Sequence, residues 1–222
     1  MPASPPVGPS LVYVADLEHP EIDDADRHHL ERVLRVRVDA PITISDGRGR
    51  WRSARMGPII RSDGDIVSVV ATHSPLTVAF ALVKGSKPEL VVQKLTEVGI
   101  DVIVAFVAER SVVRWDDDKS DRALRRWQAV AREAGMQSRR SRLVEINPVS
   151  TFDDVVTLGG VHADMGGRPV GVADRCVLVG PEGGWSAAER ERLGTPVTLG
   201  PHVLRAETAA IVAGSLLVNY RS

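Results

Sequence analysis

The chain has 222 residues, 43% of them hydrophobic and 26% charged, with a net charge of −1 at pH 7. That length holds one large domain or two small ones, with enough core for either. The balance excludes a uniformly basic nucleic-acid binder, so any RNA contact must come from local clusters of arginine.

In chain order, Leu11-Val12-Tyr13-Val14 predicts an opening strand, and Asp26 to Val36 a short helix with Leu30, Val33 and Leu34 on one face. Pro41-Ile42-Thr43-Ile44 runs into Ser45-Asp46-Gly47-Arg48-Gly49, a hairpin-type turn. Trp51 to Met56 and Ile66 to Val70 supply further strands, so the first third reads as a small β-rich module. Thr72-His73-Ser74-Pro75 is the expected junction. Beyond it strands and helices alternate. Val78 to Val83 is a strand, and Pro88 stands in the first turn of a helix carrying Leu90, Val91, Lys94, Leu95 and Val98, closed by Gly99. Val102 to Phe106 is a strand, Ser120 to Met136 a long helix, and strands follow near Leu143 to Ile146 and Val161 to Ala163. Ser186-Ala187-Ala188-Glu189 reads as a capping box, which makes Glu189 a cap and not an acid catalyst. A last helix spans about Ala206 to Asn219. The whole predicts an α/β fold with a largely parallel sheet.

Two loops carry most of the functional information. Val177-Leu178-Val179 stops at Gly180-Pro181-Glu182-Gly183-Gly184-Trp185, and Val197-Thr198-Leu199 stops at Gly200-Pro201-His202-Val203-Leu204-Arg205. Each lies at the carboxyl end of a predicted strand, where open α/β sheets bind ligands. A phosphate cradle wants uninterrupted amide donors and no nearby anion. Pro181 removes a donor and Glu182 adds a negative charge, so a nucleotide triphosphate fits poorly. S-adenosylmethionine, with a sulfonium and an ammonium, fits better.

The pair Gly-Pro-Glu-Gly-Gly and Leu-Gly-Pro-x-Val-Leu-Arg-x-Glu-Thr-Ala resembles the signature of the RsmE-type 16S ribosomal RNA uridine-N3 methyltransferases of the SPOUT class. Further matches are His29 to Arg35, Ser45-Asp46-Gly47, Lys84-Gly85, Gln93 to Gly99, Glu109-Arg110-Ser111 and Arg126-Trp127, an ordered set that covers nearly the whole chain. The resemblance implies a PUA-like RNA-binding β-barrel domain over residues 1–73 and a SPOUT α/β domain with a C-terminal trefoil knot over residues 74–222. It further implies a homodimer whose subunits complete each active site, with 16S ribosomal RNA of the small subunit as substrate. The chain departs from the family pattern at His202, where many relatives carry Arg, and at Met136, where many carry Glu.

The residues expected to hold S-adenosylmethionine are Gly180, Pro181, Glu182, Gly183, Gly184, Leu199, Gly200, Val203, Leu204 and Thr208, with Trp185 a candidate to line the pocket. Uracil N3 attacks a methyl group only as an anion or near-anion, so the enzyme must stabilise charge on O2 and O4. Arg205 is the candidate for that task, because an arginine offers a charged planar fork of donors; its bland alternative is an ion pair with Glu207 or another carboxylate. Glu207 is a candidate to receive the proton or orient Arg205, or simply to favour the helix dipole. Arg35, Lys84, Arg114, Arg139 and Arg140 are candidate RNA contacts. The six histidines lack ligand spacing, so no metal is expected. The single cysteine, Cys176, lies in an apolar run and reads as a structural thiol of a reducing compartment. The first six residues lack the regions of a secretory signal and no apolar run is long enough to span a bilayer, so a cytoplasmic location is expected. A ribose 2′-O-methyltransferase on the same scaffold, and a catalytically silent RNA-binding assembly factor, are the alternatives.

Overall fold

The computed structural model describes residues 10–71 and 74–221. Thr72 and His73, where the junction is expected, lie outside the described residues. The chain divides into two compact units, one of residues 10–71 with Gly135–Leu143 and the other of residues 74–134 and 144–221.

The first unit is built on β1 (Ser10–Tyr13), β2 (Pro41–Ser45), β3 (Arg50–Arg55) and β4 (Arg61–Ser68), in that order across the sheet. β1 runs parallel to β2, and the rest is antiparallel. The hairpin between β2 and β3 closes as the sequence suggests. Gly47 and Gly49 adopt positive φ of 69° and 102°, and the Asp46 carboxylate accepts from the backbone amides of Arg48 and Arg50. The expected helix from Asp26 to Val36 differs. α1 (Asp24–His28) passes into a π-helical turn over His29–Val33, with the Leu34 amide bonded to the carbonyl of His29. Five-residue spacing breaks the 3.6-residue face. Leu30 is therefore buried with Val12, Ile42 and Ile44, whereas Val33 and Leu34 are exposed.

Gly135–Leu143 packs within this unit although most of the sequence around it belongs to the other. The Tyr13 hydroxyl donates to the carbonyl of Arg140 at 2.7 Å, the Ser45 hydroxyl to that of Ser141 at 3.0 Å, and the Leu143 amide to that of Gly47 at 2.9 Å. Gly135 lies where a Cβ would meet the Tyr13 hydroxyl at 2.6 Å.

The second unit carries β5 (Thr77–Ala81), α2 (Lys87–Val98), β6 (Val102–Val107), α3 (Asp117–Gln137, whose last residues belong to the first unit), β7 (Glu145–Ile146), β8 (Ser150–Thr151), α4 (Phe152–Val156), β9 (Val161–Pro169), β10 (Cys176–Val179), α5 (Ala187–Arg192), β11 (Pro196–Thr198) and α6 (Ala206–Asn219). The sheet order is β11-β9-β10-β5-β6-β7, with β8 also on β6, and every pairing is parallel. Its central strands β5, β6 and β10 are near-continuous apolar runs, as strands covered on both faces require. Val78, Phe80, Ile103 and Val177 join Val91 and Leu95 of α2, Trp127 of α3 and Ala210, Ala213 and Leu217 of α6 in one core. α6 packs on α2, β5 and β10, and Gly214 permits the approach, since a Cβ there would meet Leu95 at 2.5 Å. Among the described residues no helix is long and apolar enough to cross a membrane, and no group of three or more His, Cys, Asp or Glu could hold a metal ion.

Candidate active site

The parallel strands β9, β10 and β11 lie side by side, and residues within β9 together with the segments that follow β10 and β11 line a cavity of about 190 Å³. β9 contributes Ala163, Asp164 and Met165. The segment after β10 contributes Gly180, Pro181, Glu182, Gly184 and Trp185, and that after β11 contributes Leu199, Gly200, His202, Val203 and Leu204. Arg190 of α5 and Ala206 and Ala209 of α6 complete it.

Trp185 fixes the first loop. It is 3% exposed, its indole nitrogen donates to the carbonyl of Ala163 at 3.1 Å, and its ring stacks on Phe106 and meets His162 edge-on. Gly180 lies against that ring, where a Cβ would stand 2.8 Å from it. The next four residues form a turn in which the Gly184 amide donates to the carbonyl of Pro181 at 2.8 Å. Arg110 donates to the carbonyl of Gly183 at 3.2 Å. The capping box at Ser186 is present, and buried Glu189 uses its second oxygen to accept from the amide of Glu109 at 2.8 Å. The Glu109-Arg110-Ser111 segment after β6 thus braces this loop at two points.

The second loop carries fewer bonds. The Thr198 hydroxyl donates to the carbonyl of Gly200 at 3.0 Å. Gly200 has φ 150°, and a Cβ there would find nothing within 4 Å.

Glu182 and Glu207 share one cation: the Lys87 ammonium lies 3.1 Å from a carboxylate oxygen of each. Burial works to raise the Glu207 carboxyl, but hydrogen bonds from its own amide and from Lys87, with the charges of Lys87 and Arg205, hold it below the usual range. Asp164 pairs with Arg190. Cys176, at the start of β10, is pushed up to about 12 by burial, which keeps it a thiol and not a nucleophile.

Eight of the ten residues expected to hold a cofactor therefore line the cavity: Gly180, Pro181, Glu182, Gly184, Leu199, Gly200, Val203 and Leu204. Gly183 and Thr208 are exposed and do not line it. Nor do Arg205 and Glu207, although they flank the cavity residue Ala206. Arg205 caps α6 with its carbonyl, and its guanidinium has no ion-pair partner among the described residues, while Glu207 pairs with Lys87. Lys84 and Arg114 are exposed on the second unit, Arg35 is exposed on the first, and Arg139 and Arg140 are half-buried there. Sequence reasoning missed Asp164, Met165 and Arg190. The strand expected from Val161 to Ala163 was the available signal for Asp164 and Met165, because β9 continues through them to Pro169 beside β10 and β11.

The cavity's chemistry fits S-adenosylmethionine better than a phosphate compound. Val179, Leu199, Leu204 and Ala209 make apolar walls, Pro181 offers no amide, and the acids Asp164 and Glu182 face it. Gly200 leaves open the space that a side chain would fill.

The sequence matches the RNA methyltransferase domain family over residues 71–162 and 167–218, and the RNA methyltransferase PUA domain family over residues 22–62. Ribosomal RNA small subunit methyltransferase E of Mycobacterium bovis is 33% identical over 221 residues, covering 86% of this chain and 83% of that protein. The Bacillus subtilis protein of the same name is 28% identical, covering 92% and 94%. Among solved structures, a putative methyltransferase of Legionella pneumophila in complex with bound S-adenosylmethionine is 26% identical, with a TM-score of 0.82 over 95% of this chain and 97% of that one. This chain belongs to the ribosomal RNA small subunit methyltransferase E family, with a PUA-like domain and a SPOUT methyltransferase domain.

Proposed function

We propose that this protein methylates N3 of a uridine in 16S ribosomal RNA of the small subunit, using S-adenosylmethionine, as a cytoplasmic homodimer. The observation that carries the reading is the cavity at the carboxyl ends of β10 and β11, formed by the two glycine-proline loops against β9 and the start of α6. When bound there, S-adenosylmethionine supplies a methyl group on a sulfonium centre. The chain's own residues must hold that group, exclude water and stabilise the uracil anion.

Arg205 takes the last task. It stands at the start of α6, directly after the second loop. Its planar donors suit the charge that spreads over O2 and O4 as the N3 proton leaves. Glu207 is committed to Lys87 through one oxygen, while its other oxygen is buried without a hydrogen-bond partner. That second oxygen is the acceptor available to orient Arg205 or to receive a proton.

Arg35, Lys84, Arg114, Arg139 and Arg140 supply the RNA contacts. Arg35 and Arg139 hold left-handed backbone, with φ of 53° and 58°. That conformation costs an arginine roughly 1–2 kcal/mol that glycine would not lose, which supports a role for both side chains. The dimer reading draws on α6, where Ile211, Val212 and Leu216 remain partly exposed on an otherwise apolar helix. By the same reading the C-terminal segment threads a loop to form the trefoil knot.

The experiment is calorimetric titration with S-adenosylmethionine, followed by mapping of methylated 16S nucleosides from a deletion strain and its parent. The reading expects cofactor binding and loss of one N3-methyluridine. No binding would favour the silent assembly factor, and loss of a 2′-O-methyl group would favour the ribose enzyme.

A further inference from the structure

Lys87 belongs to neither glycine-proline loop and does not line the cavity, yet it touches Glu182, which does, and Glu207 at the start of α6. It is the first residue of α2, in the segment that follows β5. From there its ammonium reaches Glu182, in the loop after β10, and Glu207, at the second position of α6. A cation in the first turn of a helix opposes the helix dipole, so this position is unfavourable for lysine on local grounds. The two carboxylates answer for it. Each has an oxygen 3.1 Å from the same nitrogen, so those oxygens lie within about 6 Å of each other, where like charges repel unless a cation stands between them.

The two acids are not equivalent. The Glu182 side chain is 55% exposed, and Glu182 lines the cavity. The Glu207 side chain is 12% exposed and anchored at the base of α6, beside the cavity residue Ala206. The second loop offers little of its own to hold this arrangement, since residues 201–203 are exposed and its hydrogen bonds are confined to Thr198 and Gly200.

We propose that Lys87 is a positioning residue for cofactor binding: it holds the Glu182 loop against the start of α6 by placing one ammonium between two carboxylates. The proposal rests on reading the cavity as the S-adenosylmethionine site. With the lysine in place, Glu182 is kept at the rim and the two glycine-proline loops stay in register. Without it, the two acids repel and the rim opens.

The test is calorimetric titration of the full-length protein with S-adenosylmethionine, with thermal unfolding measured in parallel. Lys87→Met is expected to weaken binding by about three- to a hundredfold, within the range of couplings between contacting residues. Lys87→Arg keeps the charge and its donors and is expected to stay within about threefold of the parent. In a Glu182→Gln/Glu207→Gln background, Lys87→Met should cause little further loss, because the acids it separates are no longer charged. Parental affinity in Lys87→Met would overturn the proposal. So would tighter binding, which would show the lysine competing with the cofactor's ammonium for the acids. A loss undiminished in the double-Gln background would also overturn it. If Lys87→Met unfolds, Glu207→Gln serves, since Glu207 does not line the cavity: by releasing the lysine from α6 it should show partial loss, and parental affinity would refute the proposal. Failure of the parent to bind S-adenosylmethionine is a different result, which removes the cavity's assignment itself.

Discussion

Gly180→Ala is the most direct test of how the first loop is built. The added Cβ would stand 2.8, 3.0 and 3.1 Å from three atoms of the Trp185 indole, closer than carbon atoms pack. The ring has nowhere to go. Phe106 stacks on one side with centroids 6.0 Å apart, Phe152 and His162 flank it at 6.1 Å, and its nitrogen is bonded to Ala163. Overpacking of this kind costs about 1–3 kcal/mol. For a chain of this length each kcal/mol lowers the unfolding midpoint by about 2–4 °C. Because the loop must shift to relieve the clash, affinity for S-adenosylmethionine should fall along with stability. The control lies three residues away. A Cβ on Gly183 would come no nearer than 3.4 Å to Arg110, an ordinary contact, and Gly183 does not line the cavity. Differential scanning fluorimetry and calorimetry on both variants should show Gly180→Ala impaired and Gly183→Ala close to parental. Equal behaviour of the two would refute the reasoning that Trp185 and the cavity make the first glycine obligatory.

Four further outcomes are expected. Gly200→Val should abolish cofactor binding at a stability cost of about 1–3 kcal/mol, since φ of 150° disfavours a side chain and the new one fills open cavity space; calorimetry on the folded variant decides it. Arg205→Lys should slow single-turnover methylation of 30S subunits by about 100- to 1,000-fold with cofactor affinity nearly unchanged, and parental rates would reduce Arg205 to a helix cap. Cys176 should resist alkylation in the native protein at pH 8 and react once urea unfolds the chain, because burial keeps it protonated. Asp174 contributes to the acid limb of stability: the Arg168 guanidinium, bonded to both its oxygens at 2.7 Å, and the amide of Gly171 hold its carboxyl below the usual 3.8 against the opposing effect of burial. Its folded value is depressed, so its contribution is present above about pH 4 and is lost as pH falls through that lowered value. The midpoint gap between the parent and Asp174→Asn should therefore close on acidification, and a gap constant down to pH 2 would exclude the ion pair as its origin.

The parts of the fold that were legible in sequence are those set by local rules. Gly47 and Gly49 in the β2–β3 turn, Pro88 in the first turn of α2, Gly99 at its end with φ of 107°, and the capping box from Ser186 to Glu189 each occupy the place their chemistry assigns. The helix at Asp26 to Val36 was misread because a π turn leaves no compositional mark, and its five-residue spacing undoes the face on which Val33 and Leu34 seemed to belong. β4 begins earlier than the expected Ile66 because Arg61 to Asp65 is polar and mostly exposed, and is held to β3 by backbone pairing, by an Arg55–Asp63 ion pair and by Arg52 on the carbonyl of Gly64.

The candidate site divides along the same line. The two glycine-proline loops announced themselves, since each follows an apolar strand whose end had to face a ligand, and most of the residues expected there line the cavity. What holds the loops in place was not legible, because it comes from far along the chain. Lys87 meets Glu182 across 95 positions, Glu189 meets the amide of Glu109 across 80, and Trp185 reaches Ala163 across 22. In sequence Lys87 is a helix-start lysine and Glu189 a helix cap. Only the sheet order β9-β10-β5-β6 brings the segments after these strands to one end, so that a cap can also brace a loop and a surface lysine can separate two acids. A motif therefore identifies the atoms that face the ligand, while the charge and packing that fix those atoms depend on strand order, which no local pattern encodes.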